Sequence, residues 1–77
     1  MNRVNQIIAE ILDVPAEAIN QDSGPHNLVQ WDSATHIDIV LCVEAEYAVT
    51  FSMDEIVEVM SVAAIKDCLE RKGVILK

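Results

Sequence analysis

The sequence predicts an all-α protein, a four-helix bundle with a long first loop and a short third helix. Apolar residues recur at three- and four-residue spacing in each periodic segment, which is the spacing of one helix face. The 77 residues are 52% hydrophobic but only 4% aromatic, so aliphatic side chains must fill the core. A chain this short supports one such core, and we expect residues 1–77 to form a single domain.

The first helix is predicted over residues 3–12, with Asn2 as its N-cap. Residues 13–32 lose the helical periodicity and are rich in turn formers, so they are predicted to be a loop with one short turn after Pro15. Loops of about 20 residues are uncommon in compact domains, so buried side chains should pin this one. The candidates are Val14, Ile19, Leu28, Val29 and Trp31.

The second helix is predicted to start at Ser33, with Asp32 as N-cap, and to end near Ala48. It carries two apolar stripes on different sides. One contains Val40, Val43 and Tyr47, with His36 and Ile39 at its margins. The other contains Ala34, Ile37, Leu41 and Ala45. The first stripe is assigned to the core; the second, flanked by Asp38 and Glu44, either faces a partner with a basic rim or is also core.

Capping patterns predict the last two helices. Ser52 followed by Glu55 is a capping-box pattern that predicts a short third helix ending before Ser61. Ser61 is then placed to cap a fourth helix, and Gly73 stands just past its end.

Charge and cysteine content exclude several classes of function. Thirteen acidic and five basic residues give a net charge of −8, which opposes binding to nucleic acid or anionic membranes and favours basic partner surfaces. The N-terminal segment predicts neither a secretory signal nor a membrane span. Cys42 and Cys68 show no metal-ligand or disulfide spacing. The expectation is a cytoplasmic protein without a metal site.

The segment Trp31-Asp32-Ser33-Ala34-Thr35-His36-Ile37 resembles the modification motif of acyl carrier proteins and related peptidyl carriers. The order and spacing of the remaining segments resemble this family along nearly the whole chain. The resemblance implies the acyl-carrier type of four-helix bundle. It also implies that Ser33, beside Asp32, receives 4′-phosphopantetheine from coenzyme A.

The same resemblance implies a partner surface. Its acidic positions are Asp32, Asp38, Glu44 and Glu46, and its apolar positions are Ile37, Leu41 and Phe51. Ala34 lies on this surface where the family usually has leucine, and Trp31 stands where a small residue is usual. Neither departure removes the acceptor hydroxyl of Ser33.

The implied function is that of a carrier and not of an enzyme. A serine hydroxyl needs a base to become a nucleophile, and here a separate phosphopantetheinyl transferase would supply it. The thiol of the arm would hold an acyl-type cargo as a thioester for cargo-loading and acyl-transferring enzymes with basic surfaces. The carrier is expected to be a monomer.

Two other interpretations use the same residues. Asp32, Ser33 and His36 are close on a helix and could form a hydrolase site, but the sequence has no GxSxG turn or glycine-rich oxyanion loop. No catalytic residue is therefore predicted. An unmodified helical adaptor, binding partners through its acidic helix, is the remaining alternative.

Overall fold

The computed structural model describes residues 3–75, and in this range the fold is entirely helical. The elements are α1 (Arg3–Leu12), a short 3-10 turn (Ala16–Ala18), α2 (Ser33–Tyr47), α3 (Met53–Glu58) and α4 (Val62–Arg71). The predicted all-α bundle, its long first loop and its short third helix are confirmed. Asn2, the predicted cap of α1, lies outside the described residues.

The core lies where α1, α2 and α4 meet, and aliphatic side chains fill it. Helix α1 buries Val4, Ile7, Ile8, Ala9 and Leu12. Helix α4 contributes Val62, Ile65, Cys68 and Leu69. Cys68 is a core residue, whereas Cys42 is exposed on α2. Within residues 3–75 no helix is long and apolar enough to cross a bilayer.

Helix α2 begins and ends where the sequence predicts. The side chain of Asp32 accepts a hydrogen bond from the backbone N–H of Thr35 at 2.9 Å, which caps α2. Helix α2 ends at Tyr47, and its C-cap residue Ala48 has a left-handed backbone (φ 54°, ψ 45°) and an N–H that donates to the carbonyl of Glu44.

The predicted caps of the last two helices are confirmed. Ser52 and Glu55 form a reciprocal capping box at the start of α3, with bonds of 3.2 and 2.8 Å. Ser61 accepts a hydrogen bond from the N–H of Ala64 at 3.1 Å and so caps α4. Gly73 follows α4 at φ 89°. These bonds are local in sequence, which is why the sequence could predict them.

Four of the five apolar residues expected to pin the first loop do so. Ile19 and Trp31 are buried, and Val14 and Leu28 pack against the core. The prediction for Val29 is wrong, because this side chain is 92% exposed. The N–H of Trp31 donates to the carbonyl of Leu28 at 3.0 Å, closing a tight turn in which the outer residues point inward and Val29 lies at the tip.

Backbone contacts with the start of α4 also hold the first loop. The N–H groups of Val62 and Ala63 donate to the carbonyls of Ser23 and Gln21, at 3.0 and 3.1 Å. The loop thus satisfies donors that the first turn of a helix leaves unpaired. Gly24 lies so close to the linker after α3 that an added Cβ would approach the carbonyl oxygen of Met60 to 2.4 Å.

Candidate functional site

The two apolar stripes of α2 have different environments. His36, Ile39, Val40 and Val43 are buried, and Tyr47 is half-buried. Ala34, Ile37, Leu41 and Ala45 are all exposed, with Ile37 at 45% and Leu41 at 57%. The interpretation that both stripes are core is therefore wrong. The second stripe is an apolar strip on the surface of α2, beginning one residue after Ser33.

Ser33 is the first residue of α2 and its side chain is exposed. Within residues 3–75 no other group forms a hydrogen bond with its hydroxyl. Asp32 caps the helix in its place, and the hydrogen bond from the Thr35 backbone lowers the pKa of the Asp32 carboxyl. Capping by Asp32 thus leaves the Ser33 hydroxyl available to an incoming group.

The other three serines use their hydroxyls within the fold. Ser23 is buried and accepts from the N–H of Asn20 at 2.9 Å. Ser52 and Ser61 each accept the capping bond of their helix, at 3.2 and 3.1 Å. Substituting any of these three hydroxyls would remove a structural bond. Ser33 differs from them in being exposed while its hydroxyl has no hydrogen-bond partner in the part of the chain that the structure describes.

An apolar groove of about 410 Å³ lies next to Ser33, between α2 and α3. Its lining residues are Ser33, His36, Ile37, Ile56, Val57 and Met60. Ile56, Val57 and Met60 were not among the residues predicted to lie near Ser33. These three residues form the α3 wall of the groove. The sequence gives no signal for this wall, because its position depends on how α3 packs across α2.

The floor of the groove contains a buried histidine. The indole N–H of Trp31 donates to Nδ1 of His36 at 2.9 Å, so this nitrogen carries no proton. The proton is therefore on Nε2, which lies 2.8 Å from the carbonyl oxygen of Ile56 and donates to it. Both ring nitrogens are engaged, so His36 is not free to act as a base toward Ser33. The geometry opposes the hydrolase interpretation and gives His36 a structural role.

The four predicted acidic partner positions have different surroundings. Asp32 caps α2, and Asp38 is exposed. Glu46 is exposed and lies 3.4 Å from Arg3, in an ion pair in which both side chains keep more than 40% exposure. Glu44 is half-buried, and its Oε2 accepts a hydrogen bond from the backbone N–H of Phe51 at 2.6 Å. Glu44 thus also holds the linker between α2 and α3.

The prediction that Phe51 contacts partners is wrong. Its side chain is only 5% exposed and belongs to the core. Phe51 stands one residue before the Ser52 cap, where an apolar side chain can pack beneath the start of the helix. The ammonium of Lys72 covers its ring at 5.5 Å.

A second polar cluster joins α3 to the end of α4. Glu55 accepts from the ammonium of Lys72 at 2.9 Å, and the thiol of Cys68 lies 3.5 Å from its other oxygen. The backbone N–H of Ser52 and then Lys72 lower the pKa of Glu55 to about 2. Burial raises the pKa of the Cys68 thiol. Residues 3–75 contain no group of three or more side chains suited to a metal ion.

Residues 2–69 match a protein-family model described as "Phosphopantetheine attachment site". The chain belongs to this family. Its members are non-catalytic carriers of covalently attached 4′-phosphopantetheine, and they interact with a phosphopantetheinyl transferase and with biosynthetic enzymes. A comparison with curated proteins finds no match to this carrier.

The site fits a covalent arm of this kind. A phosphodiester needs an accessible hydroxyl, and that of Ser33 is exposed at the start of α2 and has no hydrogen-bond partner among the described residues. The first-turn N–H groups and the positive end of the helix favour a negative charge there. The groove beside Ser33 offers apolar surface to whatever is joined to the arm.

Proposed function

We propose that Ser33 is the residue that carries 4′-phosphopantetheine, and that the chain holds an acyl-type intermediate as a thioester on this arm. The observation that carries the proposal is the contrast among the four serines of the chain. Ser33 alone of these is exposed without a hydrogen bond to its hydroxyl in residues 3–75, whereas the others accept a backbone N–H.

The carrier holds the Ser33 hydroxyl in position and does not itself catalyse the transfer of the arm. His36 lies near Ser33 but has both nitrogens engaged, so the base that removes the serine proton comes from the transferase. The hydroxyl oxygen then attacks the phosphorus that bears the pantetheine in coenzyme A, the pyrophosphate P–O bond breaks, and adenosine 3′,5′-bisphosphate leaves. The new phosphodiester stays at the helix N-terminus. The terminal thiol of the arm carries the acyl group, and its attachment to one protein raises its effective concentration at each docked enzyme.

The exposed strip of α2 supports the proposal that the partners are enzymes with basic surfaces. Ile37 and Leu41 present apolar surface, Asp38 lies among them with its carboxylate exposed, and the chain has a net charge of −8. Enzymes with an apolar groove and a basic rim would complement this surface, and charge attraction would speed their encounter with the carrier. We place the carrier in the cytoplasm as a monomeric single domain over residues 1–77, without affinity for nucleic acid or membranes.

The test is the intact mass of the protein after incubation with coenzyme A and a broad-specificity phosphopantetheinyl transferase. We expect one added phosphopantetheine on the wild type and none on Ser33→Ala. Ser52→Ala and Ser61→Ala are matched controls, because they remove a hydroxyl of the same type and should be modified like the wild type. Modification of Ser33→Ala, or no modification of a folded wild type by several transferases, would contradict the proposal and favour the unmodified adaptor.

A further inference from the structure

His36 connects the segment before Ser33 to the helix on the other side of the groove. Its ring is 5% exposed and lies 6.0 Å from the ring of Trp31, at an interplanar angle of 26°. Trp31 donates to Nδ1 at 2.9 Å, and Nε2 donates to the carbonyl of Ile56 at 2.8 Å. One continuous chain of hydrogen bonds thus runs from Trp31, through the first turn of α2, to the backbone of α3.

Helix α3 buries little apolar surface, since of its residues Ile56 packs partly buried against the core, and polar bonds add to what fixes its position. It has six residues, and none of them is buried. A helix of this length is not stable by itself, so contacts with the rest of the protein must hold it. The Glu55–Lys72 pair attaches α3 to the end of α4. The His36–Ile56 bond attaches it to α2, directly beneath the groove.

The residue that accepts the bond from His36 also forms part of the groove. Ile56 lines it together with Val57 and Met60, opposite Ser33 and Ile37. Val57 is 71% exposed and Met60 is 42% exposed, so this wall is open to an approaching molecule. An enzyme that reaches the Ser33 hydroxyl comes within reach of the same wall. Any shift of α3 therefore changes the surface that flanks the site.

We propose that His36 is a positioning residue for the Ser33 site: by bridging Trp31 and the Ile56 carbonyl, it holds α3 in place and fixes the apolar wall that a modifying enzyme contacts. The imidazole takes no part in the transfer itself. This proposal rests on the proposed function of Ser33, because the wall matters only where an enzyme approaches this hydroxyl.

The experiment compares three variants of the full chain. His36→Leu removes both hydrogen bonds, Trp31→Phe removes only the bond to Nδ1, and His36→Gln restores a donor and an acceptor. Ser61→Ala is the control, since it removes a capping bond from α4 and leaves the chain of bonds to α3 intact. Amide hydrogen exchange of residues 53–59 is measured against that of α1. Arm transfer by a phosphopantetheinyl transferase is measured with the carrier as the varied substrate.

We expect His36→Leu to accelerate exchange in residues 53–59 by roughly three- to tenfold relative to α1, because of its two lost hydrogen bonds one reaches α3 and a single bond produces a factor of this size. The KM for the carrier should rise by a similar factor, while kcat changes by less than about twofold. His36→Gln should recover part of both effects, and Ser61→Ala should show neither a selective change in α3 nor a raised KM.

Equal acceleration in α1 and α3, or an unchanged KM in His36→Leu, would overturn the proposal and leave His36 as a general stability residue. The exchange measurement needs no arm. If the wild type is modified at another serine or not at all, the proposed function fails, and unchanged exchange in α3 would still separately refute the positioning role.

Discussion

Helices α2 and α3 face each other across the groove, but different interactions hold them. Helix α2 has 15 residues and buries four side chains in the core. Helix α3 has six residues and buries none, although Phe51 before it and Val59 after it are core residues. The helix that presents Ser33 is therefore fixed by hydrophobic burial, whereas the opposite wall is fixed at its ends, by the partly buried Ile56 and by directional polar bonds.

This difference separates two requirements of a carrier. Ser33, the proposed attachment residue, is held in a fixed position by nonpolar burial along a long helix, without any single decisive bond. The wall beside it is held by individual bonds, such as the one from Nε2 of His36 to Ile56 and the one from Lys72 to Glu55. Each such bond contributes about 0.5–1.5 kcal/mol, so α3 can shift or open at a smaller cost than α2.

The largest expected effect comes from the buried side of α2. Val43 has no exposed surface, and Val43→Ala should lower the free energy of unfolding by about 1–4 kcal/mol, because it leaves a cavity in the core. Val57→Ala on α3 is the matched variant, since the same methyl groups are removed from a side chain that is 71% exposed. Its effect should stay within about 0.5 kcal/mol. Urea unfolding measures both, and equal losses would contradict the contrast between the two helices.

A smaller effect should separate two acidic residues of α2 that the sequence treats alike. Glu44→Lys removes the acceptor for the Phe51 N–H and should cost about 1–3 kcal/mol, the penalty for an unpaired, partly buried donor. Asp38→Lys changes an exposed charge and should alter stability by less than about 0.5 kcal/mol. It should instead slow arm transfer and flatten its dependence on salt, because attraction to a basic enzyme surface is lost.

Urea unfolding and transfer rates at two salt concentrations test this pair. Glu44→Gln serves as the control, since its amide oxygen can still accept from Phe51 while the charge is gone. If Glu44→Lys is as stable as Asp38→Lys, the bond to Phe51 does not hold the linker. If Asp38→Lys transfers at the wild-type rate at low salt, this carboxylate does not steer the transferase.

The sequence predicts what depends on neighbours in the chain. The caps at Asp32, Ser52 and Ser61 were predictable, because each bond spans three residues and uses preferred residue types. The spacing of α2 likewise separates its two apolar stripes, although it leaves open whether the second is core, and the Trp31 to Ile37 motif indicates Ser33 through its family resemblance. Most of the fold therefore follows from local chemistry, whereas Ser33 as the attachment residue follows from the family resemblance of its motif.

Long-range packing decides what the sequence could not show. The bond between His36 and Ile56 joins residues 20 apart, and the spacing of neither segment indicates it. Phe51 and Glu44 were assigned to the partner surface. The linker after α2 instead places Phe51 in the core, where its backbone N–H bonds to the Glu44 carboxylate and so fastens the linker. Their residue types fit either place, so only the fold distinguishes them.

The smallest expected effect concerns the acid stability of α3. The N–H of Ser52 and the ammonium of Lys72 hold the pKa of Glu55 at about 2, against an ordinary value of 4.5. A carboxyl whose pKa is lowered by folding adds stability that is fully present above pH 4.5 and is lost as the pH falls through about 2. The free energy of unfolding and the exchange protection of α3 should both decline in this window.

Glu55→Gln isolates this contribution, because the amide can still accept from the Ser52 N–H but does not titrate. Its stability should vary less with pH between 4.5 and 2 than that of the wild type. Lys72→Met removes one of the two main stabilising partners, so the pKa of Glu55, followed by NMR, should rise but remain below 4.5, since the Ser52 bond persists. A wild-type Glu55 that titrates near 4.5 would show that neither bond holds α3 in solution. The wall beside Ser33 would then lose one of its two polar anchors and depend on His36.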